Sequence, residues 1–64
     1  PMDKSELLKI VSAVEKTRDD ILAWAYSDMN KGPFAEEAYR TNVHVGSALN
    51  ILSDTLRALA KEDS

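Results

Sequence analysis

A single break divides this chain into two long segments with helical periodicity. The break is the sequence Asn-Lys-Gly-Pro-Phe at 30–34, in which Gly32 suits the left-handed conformation that ends a helix. Pro33 lacks an amide hydrogen, so it cannot continue the first helix, but it fits the first turn of the next. The sequence therefore predicts helix 1 over about 3–29, a turn over 30–34 and helix 2 over about 34–61.

Both segments carry a broad apolar stripe, and the first has a sequence start signal. Asp3 can cap helix 1, and Glu6 stands three residues later, as in a capping box. Leu7, Val14, Ile21 and Trp24 recur at helical spacing in the first segment. From the two stripes we predict an oligomer core made of Leu7, Val11, Val14, Ile21, Val45, Leu49, Leu52, Leu56 and Leu59.

The short turn predicts that the two helices are antiparallel neighbours in an all-α hairpin. With the turn near Gly32, position i is expected to face roughly position 64 − i, and Phe34 is expected to pack between the helices. Gly46 lies inside helix 2, where glycine costs roughly 1 kcal/mol relative to alanine. We therefore expect a packing reason for Gly46, such as the close approach of another helix.

The small size of the chain makes self-association the expected source of stability. A domain of 64 residues is marginally stable, and such folds usually add disulfides, a metal or oligomerisation. There is no cysteine, and His44 is the one histidine, so disulfides and Cys- or His-rich metal sites are excluded. Both helices also carry apolar residues outside a single narrow seam, namely Leu8, Val11, Leu22, Val43, Ile51 and Ala58. We therefore predict a four-helix bundle or a higher helical oligomer, with no cofactor.

Charge and hydropathy restrict the compartment and the partners. The net charge is −3 and the eight basic residues are scattered, so DNA binding is not expected. No run of 18 apolar residues is present, so no membrane association is expected either. We interpret Pro1 as a scar of tag cleavage and Met2 as the native start, which makes residues 2–64 one domain, with the cytoplasm as the expected location.

A polar and aromatic group near the turn is the candidate partner or ligand surface. It consists of Arg18, Trp24, Tyr39, Arg40 and His44. Three interpretations remain open: solvated faces with ordinary ion pairs such as Glu36–Arg40, a polar layer around Thr17, Arg18 and Ser47 that sets the register of a bundle, or a binding surface for an anion or a protein.

Residues for catalysis are not arranged in a recognisable site. His44 is the only candidate base at neutral pH, and no acid stands at a spacing that would orient its ring. The pairs Asp19-Asp20 and Glu36-Glu37 are adjacent, so their side chains diverge around a helix. We therefore expect a protein that is not an enzyme.

Two short stretches resemble known helical hairpins, each over less than half of the chain. The sequence GSALNILS at 46–53 resembles the second helix of the small hairpin co-chaperones of type III secretion, which act with a repeat-protein partner. Tyr39 and Arg40, followed by LRALAK at 56–61, resemble phage hairpin proteins that sequester cyclic nucleotide signals. The second resemblance implies that Arg40 contacts phosphate.

Two functional hypotheses follow. The first is a protein-interaction module that acts as a helical oligomer, such as an adaptor, a co-chaperone or a phage-type inhibitor of a host protein, with itself and another protein as partners. The alternative is a small-ligand sponge for a nucleotide or cyclic nucleotide, with sites at the oligomer interface lined by Tyr39, Arg40 and His44.

Overall fold

The chain folds as a helical hairpin in the computed structural model, which describes residues 2–62. Helix α1 spans Lys4–Ala25 and helix α2 spans Ala35–Glu62, and the two pack against each other along their length. The hairpin measures 48 × 15 × 15 Å. The prediction of an all-α, two-helix hairpin is confirmed. The interpretation of Pro1 and the last two residues of the predicted domain lie outside the described residues.

Helix α1 begins at the predicted cap. Asp3 has extended backbone angles, and its side-chain oxygen accepts a hydrogen bond of 2.9 Å from the amide of Glu6. This bond satisfies one of the amide groups that the first turn of a helix leaves without a partner. Glu6 also places a negative charge in that first turn, where the helix dipole favours it.

Helix α1 ends at Ala25, four residues before the predicted position 29, and the connection occupies residues 26–34. Side chains of the connection donate hydrogen bonds to carbonyl groups at the ends of both helices. The Ser27 hydroxyl donates to the Trp24 carbonyl at 2.8 Å, and the Asn30 amide donates to the carbonyls of Ala25 and Ala35 at 3.1 and 3.2 Å. Serine and asparagine compete with the helix in this way, and the apolar periodicity through position 29 did not reveal it.

Phe34 does not pack between the helices, so that prediction is wrong. Its side chain is 74% exposed. The space between the two helix ends is instead bridged by the Asn30 amide, which bonds to both of them. Gly32 does take the left-handed conformation expected of it, with φ of 105°.

The register of the two helices differs from the predicted one by one helical turn. Ser53 bonds to Glu15, Asn50 bonds to Arg18, and Gly46 lies against Leu22. Position i therefore faces position 68 − i instead of 64 − i. The offset arises from the nine-residue connection. The chain does not reverse its direction directly at Gly32, and Tyr26 after the end of α1 packs beside Tyr39 in the second turn of α2.

The interior of the hairpin is small. Its buried residues are Val11, Ala25, Gly46, Ser53 and Ala60, and none of them is larger than valine. An added Cβ atom at Gly46 would lie 2.7 Å from Cδ2 of Leu22, so the glycine permits the close approach of the other helix. The predicted packing reason for Gly46 is confirmed. Apart from the half-buried Leu22 side chain against Gly46, the centre of the contact between α1 and α2 is therefore formed by small residues.

Candidate interaction surface

The middle of the contact between the helices is polar. Glu15 accepts three hydrogen bonds from α2: from the Ser53 hydroxyl at 2.7 Å and from Arg57 at 3.1 and 2.7 Å. The bonds from Arg57 and Ser53 stabilise the carboxylate and lower the pKa of Glu15 from 4.5 to about 2. The same pairing raises the pKa of Arg57. This bidentate pair ties the two helices together at one register.

Arg18 belongs to this polar contact and not to the outer surface. Its guanidinium donates to Asn50 on α2 at 2.7 Å and to the neighbouring Asp19 at 3.0 Å, and its side chain is only 24% exposed. We define the polar seam as the residues Glu15, Arg18, Asn50, Ser53 and Arg57. The sequence interpretation placed a polar layer here, around Arg18, but named Thr17 and Ser47 in place of the residues that make these bonds.

A spacing signal in the sequence marks the polar seam. Leu8, Val11, Glu15, Arg18, Leu22 and Ala25 alternate in steps of three and four, which is the pattern of a helix contact. Val43, Gly46, Asn50, Ser53, Arg57 and Ala60 do the same in α2. Hydrophobicity favours a second stripe in each helix, and the prediction based on it does not include the stripe that α1 and α2 share.

The second stripe of each helix forms an exposed or half-buried apolar face along the hairpin. At 100° per residue these positions lie on one flank of the polar seam in α1 and on one flank in α2. Antiparallel packing brings the two flanks to the same side of the molecule. The apolar face consists of Leu7, Ile10, Val14, Ile21 and Trp24 from α1 and Val45, Leu49, Leu52, Leu56 and Leu59 from α2.

The apolar face contains eight of the nine residues predicted as an oligomer core. Val11 is the exception, since it is fully buried between α1 and α2. Val45, Leu52 and Leu59 lie seven residues apart and are each 40% exposed or more within one hairpin. Large aliphatic side chains at heptad spacing are therefore exposed to solvent in the single chain. This exposure supports the idea that these residues form an oligomer core, which stays a prediction.

The other predicted surface residues are not brought together at one point. Trp24 lies at the turn end of the apolar face and is 38% exposed. Tyr39 packs edge-on against Tyr26, with ring centroids 5.3 Å apart, and donates its hydroxyl to that of Tyr26 at 3.4 Å. Arg40 pairs with Glu36 at 2.7 Å on the exposed surface of α2, and His44 is exposed one turn further along. The five residues therefore do not build a single pocket in one copy.

A shallow groove of about 360 Å³ lies on the side opposite the apolar face. It is lined by Arg18, Leu22, Tyr26, Val43, Gly46, Ser47 and Asn50. The guanidinium of Arg18 is already bonded to Asn50 and Asp19, so the groove presents mainly hydroxyl, amide and aliphatic surface. Every buried side-chain polar atom between residues 2 and 62 has a hydrogen-bond partner.

Two classes of site are absent from the described part of the chain. Residues 2–62 contain no cluster of three histidine, aspartate or glutamate side chains placed to hold a metal ion. Neither α1 nor α2, over the residues described, has a stretch long and apolar enough to cross a bilayer.

Comparison with known proteins adds no assignment. No protein-family model, curated protein or solved structure matches this chain.

Proposed function

We propose that this chain is a non-enzymatic protein-interaction module that acts as a helical oligomer. The observation that carries the proposal is the apolar face, which leaves Val45, Leu52 and Leu59 exposed at heptad spacing, while the buried residues between the helices are valine or smaller. A helical partner that presents the same spacing covers such a face by knobs-into-holes packing.

The dimensions of the apolar face suit a small helix–helix interface. Its residues run from position 7 to position 24 of α1, about 26 Å at 1.5 Å per residue, across a hairpin 15 Å wide, which amounts to about 400 Å², or roughly half of the 800 Å² per partner of a standard protein interface. Burial of apolar surface contributes roughly 25 cal/mol per Å² before the cost of association is subtracted. The intramolecular core is too small to stabilise the hairpin by comparison, so folding and association are expected to be coupled.

The partners in this proposal are further copies of the chain and a second protein, in the cytoplasm. An adaptor, a co-chaperone or an inhibitor of another protein all use such a module. The polar seam supports this role because its bidentate Glu15–Arg57 pair fixes the register of α1 on α2 and so holds the apolar face in one shape.

Unfolding at several protein concentrations tests the proposal. Because association stabilises only the folded chain, the thermal midpoint is expected to rise with protomer concentration. Leu52→Glu on the apolar face should remove that dependence, whereas Ser12→Glu on the exposed side of α1 should preserve it. A wild-type midpoint that is independent of concentration would refute self-association. A pull-down with wild type and with Leu52→Glu then identifies the partner. A protein that binds wild type but not Leu52→Glu is a partner of the folded oligomer, whereas a protein that binds both recognises the unfolded chain.

A ligand sponge is the second candidate. Arg40 and His44 lie one turn apart on the exposed surface of α2, and the Arg40 guanidinium donates its only side-chain bond among the described residues to the exposed Glu36 carboxylate. An ion pair between exposed side chains is weak, so the Arg40 guanidinium can bind a phosphate in place of the Glu36 carboxylate. Calorimetry with nucleotides and cyclic nucleotides tests this candidate. Heat of binding that disappears in Arg40→Ala supports it, binding that survives the substitution removes Arg40 from the site, and no binding to wild type refutes it.

A further inference from the structure

The groove opposite the apolar face has hydrogen-bond donors on both of its walls. Helix α1 contributes the Arg18 guanidinium, and helix α2 contributes the side chains of Ser47 and Asn50. Tyr26, which follows the end of α1, adds its hydroxyl at the turn end of the groove. The volume of about 360 Å³ lies in the range of small-molecule pockets. Arg40 does not line this groove, which is therefore distinct from the Arg40 surface of α2.

The donors of the groove are not used up by contacts within the hairpin. The Arg18 guanidinium bonds through Nε and Nη2 to Asp19 and through Nη1 to Asn50, and the second hydrogens of both Nη atoms have no partner among residues 2–62. The Asn50 side chain acts as the acceptor in its bond, so its amide nitrogen can still donate. The Tyr26 hydroxyl accepts from Tyr39 and keeps its own hydrogen for a ligand.

The floor of the groove between these donors is apolar. It consists of the half-buried side chains of Leu22 and Val43 and the backbone at Gly46. No aspartate or glutamate among the described residues lines the groove. A concave surface with several donors around an apolar floor suits a ligand that carries oxygen acceptors at one end and an apolar body at the other.

The charge of the groove restricts the ligand to a single negative charge. Arg18 is the only cationic residue that lines the groove in the described part of the chain, and the neighbouring Asp19 is anionic. A phosphate group carries roughly two negative charges at neutral pH, whereas a carboxylate carries one and fits the planar guanidinium. We propose that the groove binds a small organic carboxylate with a flat apolar body, which places its carboxylate at Arg18 and its body over Leu22 and Val43.

The Asp19 carboxylate is the group that such a ligand replaces. It lies 3.0 and 2.9 Å from two guanidinium nitrogens of Arg18, but its side chain is 66% exposed, and ion pairs with so exposed a partner are weak. Asn50 holds the same guanidinium at 2.7 Å, so Arg18 stays in place when Asp19 is displaced. Because the groove and the apolar face lie on opposite sides, an assembly through the apolar face leaves the groove open.

Benzoate tests the proposal on the full chain, since it combines one carboxylate with one flat apolar ring. Nitrogen–proton NMR should show saturable shifts of the amide signals of Gly46, Ser47 and Asn50, with a Kd on the order of 1 mM for so small a ligand. Acetate, which lacks the ring, and benzyl alcohol, which lacks the charge, should each bind about ten-fold more weakly. The absence of saturable shifts with benzoate would overturn the proposal. Acetate that binds as tightly as benzoate would also overturn it, because the groove would then be a general anion site.

Substitutions then locate the benzoate site. Asp19→Asn removes the competing carboxylate and should tighten binding about two- to five-fold, whereas Ser47→Ala removes one donor and should weaken it about five-fold. Arg18→Gln should abolish binding, and Lys16→Gln, which removes the same charge from the exposed surface of α1, is the matched control and should leave the Kd unchanged. Because Arg18 also bonds across the polar seam, the variants at the exposed Asp19 and Ser47 keep the test independent of folding. Equal affinity in wild type, Asp19→Asn and Ser47→Ala, or an equal loss in Lys16→Gln and Arg18→Gln, would overturn the proposal.

Discussion

Gly46 is the position at which the packing of α1 on α2 can be tested with the smallest change. Gly46→Ala adds one methyl group that would stand 2.7 Å from Cδ2 and 2.9 Å from Cγ of Leu22. Carbon atoms do not approach this closely, so Leu22 or the helices must shift. The same substitution removes a glycine from the interior of α2, where alanine is the better helix former.

Two effects of opposite sign therefore set the result. Overpacking a tight contact costs about 1–3 kcal/mol, while the gain in helix propensity is roughly 1 kcal/mol. We expect a net loss of about 1 kcal/mol in the free energy of unfolding for Gly46→Ala. In the Leu22→Ala background the obstructing atoms are gone, so the same substitution should stabilise by about 1 kcal/mol.

The double-mutant cycle of these two substitutions measures the contact. The four proteins are unfolded with urea at one fixed protomer concentration, since association contributes to their stability. The coupling energy is expected to be about 2 kcal/mol in favour of the double variant. If Gly46→Ala stabilises both backgrounds equally, Gly46 faces open space and the register in which position i meets 68 − i is wrong.

Three further substitutions test separate parts of the hairpin. The pKa of Glu15 is about 2 in the folded chain and 4.5 in its ordinary state, so its contribution is complete above pH 4.5 and is lost as the pH falls towards 2. Wild type should lose more stability than Glu15→Gln over that range in unfolding experiments, and equal slopes would contradict the Arg57 pairing. Asp3→Ala should cost about 1 kcal/mol by the loss of the α1 cap, measured by urea unfolding, and a neutral result would show that the cap is not formed. Phe34→Ala should change stability by less than about 0.5 kcal/mol, because its ring is exposed, and a cost of several kcal/mol would return Phe34 to the space between the helices.

The helices themselves were predictable because their signals are local. Asp3 followed by Glu6 marks a start, and Gly32 with Pro33 marks the separation of two helices within a few residues of chain. The end of α1 was not predictable in the same way. It depends on the Asn30 side chain reaching the carbonyls of Ala25 and Ala35, which are brought close only by the completed turn.

The choice between two stripes on each helix was the harder problem. Hydrophobicity favoured the stripe with Leu52 and Leu59 as the principal contact, but the helices of one chain meet along the stripe with Glu15, Gly46 and Ser53. Periodicity indicates that each helix has two contact surfaces. It does not indicate which of them contacts the other helix of the same chain. The small residues Gly46 and Ser53 let the helices approach closely, and the Glu15–Arg57 ion pair stabilises that register.

The mass of the protein in solution tests the central claim, that the apolar face is covered by another copy. Light scattering at micromolar concentration should give a multiple of the 7.1 kDa chain mass for wild type and for the control Ser12→Glu. Leu52→Glu places a charge in the centre of the apolar face and should reduce the mass to that of one chain. A stably folded wild-type protein of 7.1 kDa would contradict the account.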